Sequence, residues 1–325
     1  VLAIVCPGQG SQTPGFLRPW LDVPGAADHL EQLSSIAGLD LAAHGTTSDE
    51  ETIKDTAVAQ PLIVAAGLVA ARALTAGAPL DLSTVVAGHS VGEITASAIA
   101  GALDEADAMT FVRTRANAMA RAAAEAETGM SAVLGGDPEE VLAAIHAAGL
   151  TPANANGAGQ IVAAGTLAQL QSLADNPPAK ARIIPLKVAG AFHTHHMEPA
   201  MQALEALRPQ LSPASPVLTL LSNYDGEPVA GGEENLDSLI AQVSRPVRWD
   251  LCMEEMLSVG ITGILELPPA GTLTGLAKRG MKGVATMALK TPDELDAARA
   301  FIAEHTSLVP AVSDASSVTE SGETN

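Results

Sequence analysis

Residues 88–92 read Gly-His-Ser-Val-Gly, directly after the apolar run Ser83–Ala87 and before a helix of small residues. A tight reversal from strand to helix needs residues without bulk on both sides, and it thrusts the serine hydroxyl outward. The start of the helix also leaves amide N–H groups without intrahelical acceptors, and these can hold a developing oxyanion. Ser90 is therefore a candidate nucleophile. The structural alternative is a plain helix N-cap, which would not require glycine at both flanks.

A serine hydroxyl is a weak nucleophile without a base. The chain has eight histidines. His89 adjoins the serine but points to the other side of the turn and is expected to pack inside. His29, His44, His146 and His305 lie in polar or helical contexts and are expected at the surface. The other three form Phe192-His193-Thr194-His195-His196-Met197, after a strand and Gly190, where an active-site loop would sit. Their His-x-His-His order lacks the spacing of a helical zinc site, so no metal is expected. No acidic third member identifies itself, whereas an α/β-hydrolase places an acid and then its histidine late in the chain.

Two further features could line the same cleft. Pro7–Gln12, read PGQGSQ, imitates a dinucleotide fingerprint, but Thr13 replaces the third glycine and no second strand ending in an acid follows. Its better use is a turn whose backbone approaches a ligand, the bland alternative being a structural turn. On the helix expected over Asp104–Glu127, Ala108, Val112, Arg115 and Met119 fall at spacings of four, three and four, which puts Arg115 on or beside the apolar stripe. A guanidinium there either captures a substrate carboxylate in its fork or pairs with a structural acid. Arg113 and Arg121 fall on the opposite, solvated side.

The elements that must position these groups alternate. Strand character is expected at Val1–Val5, Thr84–Ala87, Arg182–Val188, Val217–Ser222 and Gly263–Leu267, and helices at Pro61–Thr75, Val91–Ala100, Asp104–Glu127 and Pro199–Ala206. That order implies an α/β layered fold with a largely parallel sheet. Between Gly129 and Val188 the rhythm becomes β-α-β-α-β, with a further strand near Leu150–Asn154, which suits a small ferredoxin-like insertion. After about Glu304 the chain turns polar and small and is expected to be a disordered tail.

Composition removes several functional classes. The 325 residues are 47% hydrophobic, enough for a sizeable core and, at this length, about two domains. Aromatics are 2% and the formal net charge is −20, from 17 Lys plus Arg against 37 Asp plus Glu, so nucleic acid is not an expected partner. Cys6 and Cys252 form no CxxC pair, and a reducing cytoplasm fits them best. The opening VLAIVC run ends at Pro7 and reads as a strand, not a signal peptide, and no uninterrupted apolar stretch suggests a membrane span.

Taken together, PGQGSQ, GHSVGE, the Arg113–Met119 run RTRANAM, AFHTHHM, the Pro246–Trp249 run PVRW and the Leu273–Arg279 run LTGLAKR resemble, in order, the malonyl-CoA:acyl carrier protein transacylases of fatty acid and polyketide synthesis. The resemblance covers nearly the whole globular chain. It implies an α/β-hydrolase-like core from residues 1–128 and 189–304, a ferredoxin-like subdomain at 129–188 and a tail at 305–325. It makes Ser90 the nucleophile and His193 its general base, oriented by the main-chain carbonyl of Gln242, four residues before the proline of PVRW. That substitutes for the missing acid. The amides of Gln9 and Val91 become the oxyanion hole, while Arg115, Phe192 and Met119 become substrate-binding residues, with Arg115 gripping the malonyl carboxylate. Phe192 before the histidine resembles the malonyl-selecting form of the motif.

The resemblance further implies ping-pong transfer of malonyl from malonyl-CoA to acyl carrier protein through a malonyl-serine ester. No metal or cofactor beyond the coenzyme A thioester is expected, and the protein is expected to be a cytoplasmic monomer. The family's VGPG-like turn is replaced here by Leu267-Pro268-Pro269-Ala270-Gly271, which leaves that loop's shape open. Two alternatives from other classes are a serine esterase or thioesterase of α/β-hydrolase type and a binding module in which GHSVG is only a turn.

Overall fold

The protein is described by a computed structural model covering residues 1–76, 78–188 and 190–306. Its strands are β1 (Leu2–Cys6), β2 (Val85–Gly88), β3 (Thr128–Gly135), β4 (Thr151–Gly157), β5 (Gln160–Thr166), β6 (Ala181–Pro185), β7 (Thr219–Leu220), β8 (Val247–Arg248), β9 (Gly263–Glu266) and β10 (Ala285–Ala288). The helices are α1 (Ala26–Ala37), α2 (Leu41–Thr46), α3 (Glu50–Lys54), α4 (Thr56–Leu74), α5 (Gly92–Ile99), α6 (Glu105–Ala123), α7 (Pro138–Ala147), α8 (Leu167–Asp175), α9 (Glu198–Leu207), α10 (Gly232–Gln242), α11 (Trp249–Ser258), α12 (Thr272–Gly280) and α13 (Leu295–Thr306).

Five strands form a wholly parallel sheet in the order β10-β9-β1-β2-β7. A parallel sheet is covered on both faces, which is why β1 reads as an unbroken apolar run and is buried along its whole length. Its period of two divides it. Leu2, Ile4 and Cys6 pack with Leu62 and Val69 of α4 and Phe111 and Val112 of α6, while Ala3 and Val5 pack with Trp249, Met253 and Met256 of α11 and Leu273 and Leu276 of α12.

The core helices start at acidic caps. Asp55 accepts from the Ala57 amide at 2.8 Å to begin α4, and Asp104 from the Asp107 amide at 2.7 Å to begin α6. By composition α4 is long and apolar enough to span a bilayer, with mean hydropathy 1.7 over an 18-residue window, but 78% of that window is buried inside the protein. It is the central helix against α6, and that packing accounts for its apolarity.

A second sheet, β6-β3-β5-β4-β8, is antiparallel apart from the parallel β4–β8 pair. It has its own apolar cluster, where Val133 and Ala163 meet Val141 and Ile145 of α7 and Leu170 and Leu173 of α8. The strand anticipated near Leu150–Asn154 is β4. Two-residue β8 closes the edge of this sheet from sequence far outside residues 129–188, because Asn154 and Ala155 pair with Val247 and Arg248.

Some expectations are corrected. His29 is buried at 2% exposure and bonded to Glu105, and His305 is buried at 7% and bonded to Thr262, so neither is a surface residue. His146 is exposed and His44 half-buried. His305 and Thr306 complete α13, whereas the rest of the anticipated tail, residues 307–325, lies outside the described residues. The helix expected to reach Glu127 ends at Ala123, and β10, at the sheet edge, was not anticipated.

Candidate active site

The 88–92 turn joins β2 to α5 at the carboxyl end of the parallel sheet, where open α/β sheets hold their ligands. Both glycines are sterically required. A Cβ on Gly88 would stand 2.0 Å from the Gly92 carbonyl oxygen, and one on Gly92 would stand 2.1 Å from the Cys6 carbonyl oxygen. Ser90 itself is held at φ 54°, a left-handed conformation that costs a serine about 1–3 kcal/mol and persists only where neighbours enforce it. Asn223 is one such neighbour. Its side chain accepts the Ser90 amide at 2.8 Å and donates to the Gly88 carbonyl at 2.7 Å, clamping both limbs of the turn.

His193, also at positive φ, 61°, places its Nε2 2.8 Å from Ser90 Oγ. Its Nδ1 lies 2.7 Å from the main-chain oxygen of Gln242. A carbonyl can only accept, so Nδ1 carries the proton and Nε2 is left as the lone-pair nitrogen facing the hydroxyl. Burial, and then the nearby Arg115 cation, pull the ring down to about 3, which holds the imidazole unprotonated.

Arg115 is 1% exposed on α6. Its Nη1 donates to Gln60 Oε1 at 2.7 Å, and its Nη2 donates to Gln242 Oε1 at 2.8 Å and reaches Ser90 Oγ at 3.4 Å. Desolvation lowers its pKa to about 10, with Glu93 opposing, so it remains a cation at neutral pH. Arg113 and Arg121 are exposed on the other side of the helix, as the periodicity requires. Met119, one turn on, is buried with its sulfur 3.5 Å from the Gln60 amide nitrogen. Phe192 is buried before His193, its ring close enough to Gly190 that a Cβ there would stand 2.9 Å away.

The loop after β1 abuts the same turn, since a Cβ on Gly8 would stand 2.8 Å from the His89 carbonyl. Among the described residues the amides of Gln9 and Val91 have no hydrogen-bond acceptor. The loop after β9 carries a cis Pro268-Pro269 bond and reaches the first loop through Thr272 Oγ1, 3.1 Å from Ser11 Oγ. His89 turns away from the cleft, as expected, to Asn156 Oδ1 at 2.8 Å and the Trp249 ring.

Hydrogen bonds thus bring together Ser90, His193, Gln242 and Arg115, with the Gln9 loop alongside. Sequence reasoning missed Asn223, Glu93 and Gln60. Glu93 is fully buried, and its carboxylate accepts from the Asn223 amide at 3.0 Å and from the Gln242 side-chain amide. Burial pushes it up to about 7. In sequence its one signal is an acid in the first turn of a helix, where acids are ordinary.

A hydroxyl 2.8 Å from an unprotonated, carbonyl-oriented imidazole, on a turn with free amides nearby, can attack a carbonyl carbon and carry the resulting acyl group. Fold and site define the class as an α/β protein that pairs a serine hydroxyl with a histidine at the carboxyl end of its parallel sheet. The chain belongs to the acyl transferase domain family, whose sequence model matches residues 3–306. It is 52% identical over 297 residues to the malonyl CoA-acyl carrier protein transacylase of Mycobacterium tuberculosis, covering 91% of this chain and 98% of that one. The crystal structure of a transacylase from the same organism superposes with a TM-score of 0.87 at 52% identity, with the same coverage of both chains. A malonyl-transacylase solved in complex with its type II polyketide synthase acyl carrier protein superposes with a TM-score of 0.87 at 29% identity, over 92% of this chain and 99% of that one.

Proposed function

We propose that this protein transfers malonyl from malonyl-CoA to the phosphopantetheine thiol of an acyl carrier protein by a ping-pong route. Ser90 Oγ attacks the thioester carbonyl while its proton passes to His193 Nε2. The oxyanion of the tetrahedral intermediate rests on the amides of Gln9 and Val91. The C–S bond breaks, coenzyme A leaves with the proton held by His193, and malonyl remains esterified to Ser90. The carrier thiol then gives its proton to His193 and attacks the ester, and the second intermediate collapses with return of the proton to Ser90. No metal or bound cofactor enters this sequence.

In this reading Arg115 grips the free malonyl carboxylate, and Phe192 and Met119 shape the acyl pocket. The observation that carries it is a buried guanidinium reaching the hydroxyl that the imidazole also holds. A plain esterase has no need of a cation there. The relatives named as malonyl CoA-acyl carrier protein transacylases, and the solved carrier complex, support the choice of acyl group and acceptor. The product would supply fatty acid or polyketide assembly. The parallel sheet supports an α/β-hydrolase-like core from residues 1–128 and 189–304, and the separate antiparallel sheet supports a ferredoxin-like subdomain at 129–188. The site is complete within one chain, which supports action as a monomer, and two buried unpaired cysteines fit the cytoplasm.

The test is intact mass after exposure to malonyl-CoA. A malonyl adduct on the wild-type protein, absent from Ser90→Ala, is expected. Its absence would sink the proposal, and rapid release of free malonate without any thiol acceptor would identify an esterase instead.

A further inference from the structure

Arg115 is a buried cation whose partners are all neutral. Its contacts are the amide oxygens of Gln60 and Gln242 and the Ser90 hydroxyl, while its Nε has no partner. Among the described residues it forms no ion pair, although a desolvated guanidinium needs compensating charge. The nearest compensation is Glu93, placed one side chain away. Gln242 stands between them, giving Oε1 to Arg115 and Nε2 to Glu93, with the Ser90 carbonyl at 3.1 Å and Asn223 Oδ1 at 3.3 Å as longer further acceptors, and all three groups are buried.

The order of donors fixes this relay in one direction. Above the value of about 7 to which burial raises it, Glu93 is ionised and only accepts, with one oxygen taken by the Asn223 amide and the other facing Gln242. The Gln242 side chain must then present its nitrogen to Glu93 and its oxygen to Arg115. A flipped amide would set NH2 against the guanidinium. A carboxylate paired directly with Arg115 would balance the charge but would occupy the edge that faces Ser90.

We propose that Glu93 is a positioning residue that sets selectivity for acyl groups bearing a carboxylate, by orienting the Gln242 amide so that Arg115 is balanced yet unoccupied beside Ser90. This rests on the reading of Arg115 as the grip for malonyl.

In Glu93→Gln the Asn223 amide keeps an acceptor, but the new NH2 faces the Gln242 NH2 and drives that amide to turn. The experiment measures, at a pH of about 8 where Glu93 is ionised, acylation of Ser90 by malonyl-CoA and by acetyl-CoA, together with labelling by an uncharged fluorophosphonate that reports the Ser90–His193 pair alone. The expected result is a fall of about ten- to a hundredfold in the malonyl-over-acetyl ratio, the effect of one lost hydrogen bond to a charged group, with fluorophosphonate labelling close to wild type. A merely structural Glu93 would lower all three rates together, and that outcome, or an unchanged ratio, overturns the proposal.

Should Glu93→Gln fold poorly, the double variant Glu93→Gln with Gln242→Glu restores a donor–acceptor pair but puts the carboxylate directly on Arg115. Its ratio is expected to stay low, and a return to the wild-type ratio overturns the proposal. A wild-type protein that takes up malonyl no faster than acetyl overturns the Arg115 reading and this one with it. Wild-type selectivity with an unchanged Glu93→Gln ratio overturns the role of Glu93 alone.

Discussion

On the proposed reading, Arg115→Ala separates recognition of the acyl group from the chemistry on Ser90. The substitution removes the donors to Gln60 Oε1 and Gln242 Oε1, lying at 2.7 and 2.8 Å. Each stranded acceptor costs about 1–3 kcal/mol of stability, and that loss is common to every substrate. The substrate-dependent part is the malonyl carboxylate, left desolvated without its cation, at about 2–5 kcal/mol. At about 1.4 kcal/mol per tenfold, malonyl acylation should fall roughly thirtyfold to several thousandfold. Acetyl has no carboxylate to strand. Removing Arg115 also removes the second cause that holds His193 low, so its base is strengthened and not weakened. The assay is single-turnover acylation followed by intact mass, with both thioesters well below saturation so that the rate reads kcat/KM, and thermal unfolding as the stability control. Parallel losses for malonyl and acetyl would refute the reasoning and reduce Arg115 to a structural tie.

Gly92→Ala should displace the turn, because its Cβ would stand 2.1 Å from the Cys6 carbonyl. A shift near 1 Å is enough to cost about a hundredfold in acylation, and wild-type rates in a correctly folded variant would contradict the steric argument. A second test is pH. Glu93 is raised by burial from 4.5 to about 7, so the native state keeps a proton that the unfolded chain loses, and this contribution to stability declines as pH rises through 7. His193 is lowered by burial and Arg115 from 6.5 to about 3, so its contribution is full above 6.5 and is lost as pH falls toward 3. The two slopes oppose each other between 4.5 and 6.5. Urea unfolding should therefore show Glu93→Gln removing about 3 kcal/mol of the decline between pH 4.5 and 8, and an identical decline in the variant would dismiss the assignment.

The site was legible where chemistry is local. Glycine on both sides of Ser90 announced the turn because the backbone cannot pass Cys6 and Gly92 otherwise. Arg115 was visible as a charge on an apolar stripe, though the spacing could not say what it touches. Asn223 and Gln60 gave no signal, since each meets the site only through folding across 133 and 55 residues. His29 and His305 looked like surface histidines because a helix carries no mark for a single buried polar contact, and Glu105 and Thr262 supply those contacts from distant elements. In the fold, the long apolar strands were evident, as was the run at 217–222 that holds β7, whereas β8 has two residues, too few for any period to show.

The smaller sheet is fastened to the chemistry at two points. Asn156 of β4 holds the ring of His89, next to Ser90, and the same strand pairs with β8, which begins five residues after the carbonyl bonded to the His193 imidazole. The two sheets are in this sense coupled, and any displacement of the smaller one would be felt at the hydroxyl of Ser90 and the imidazole of His193 together.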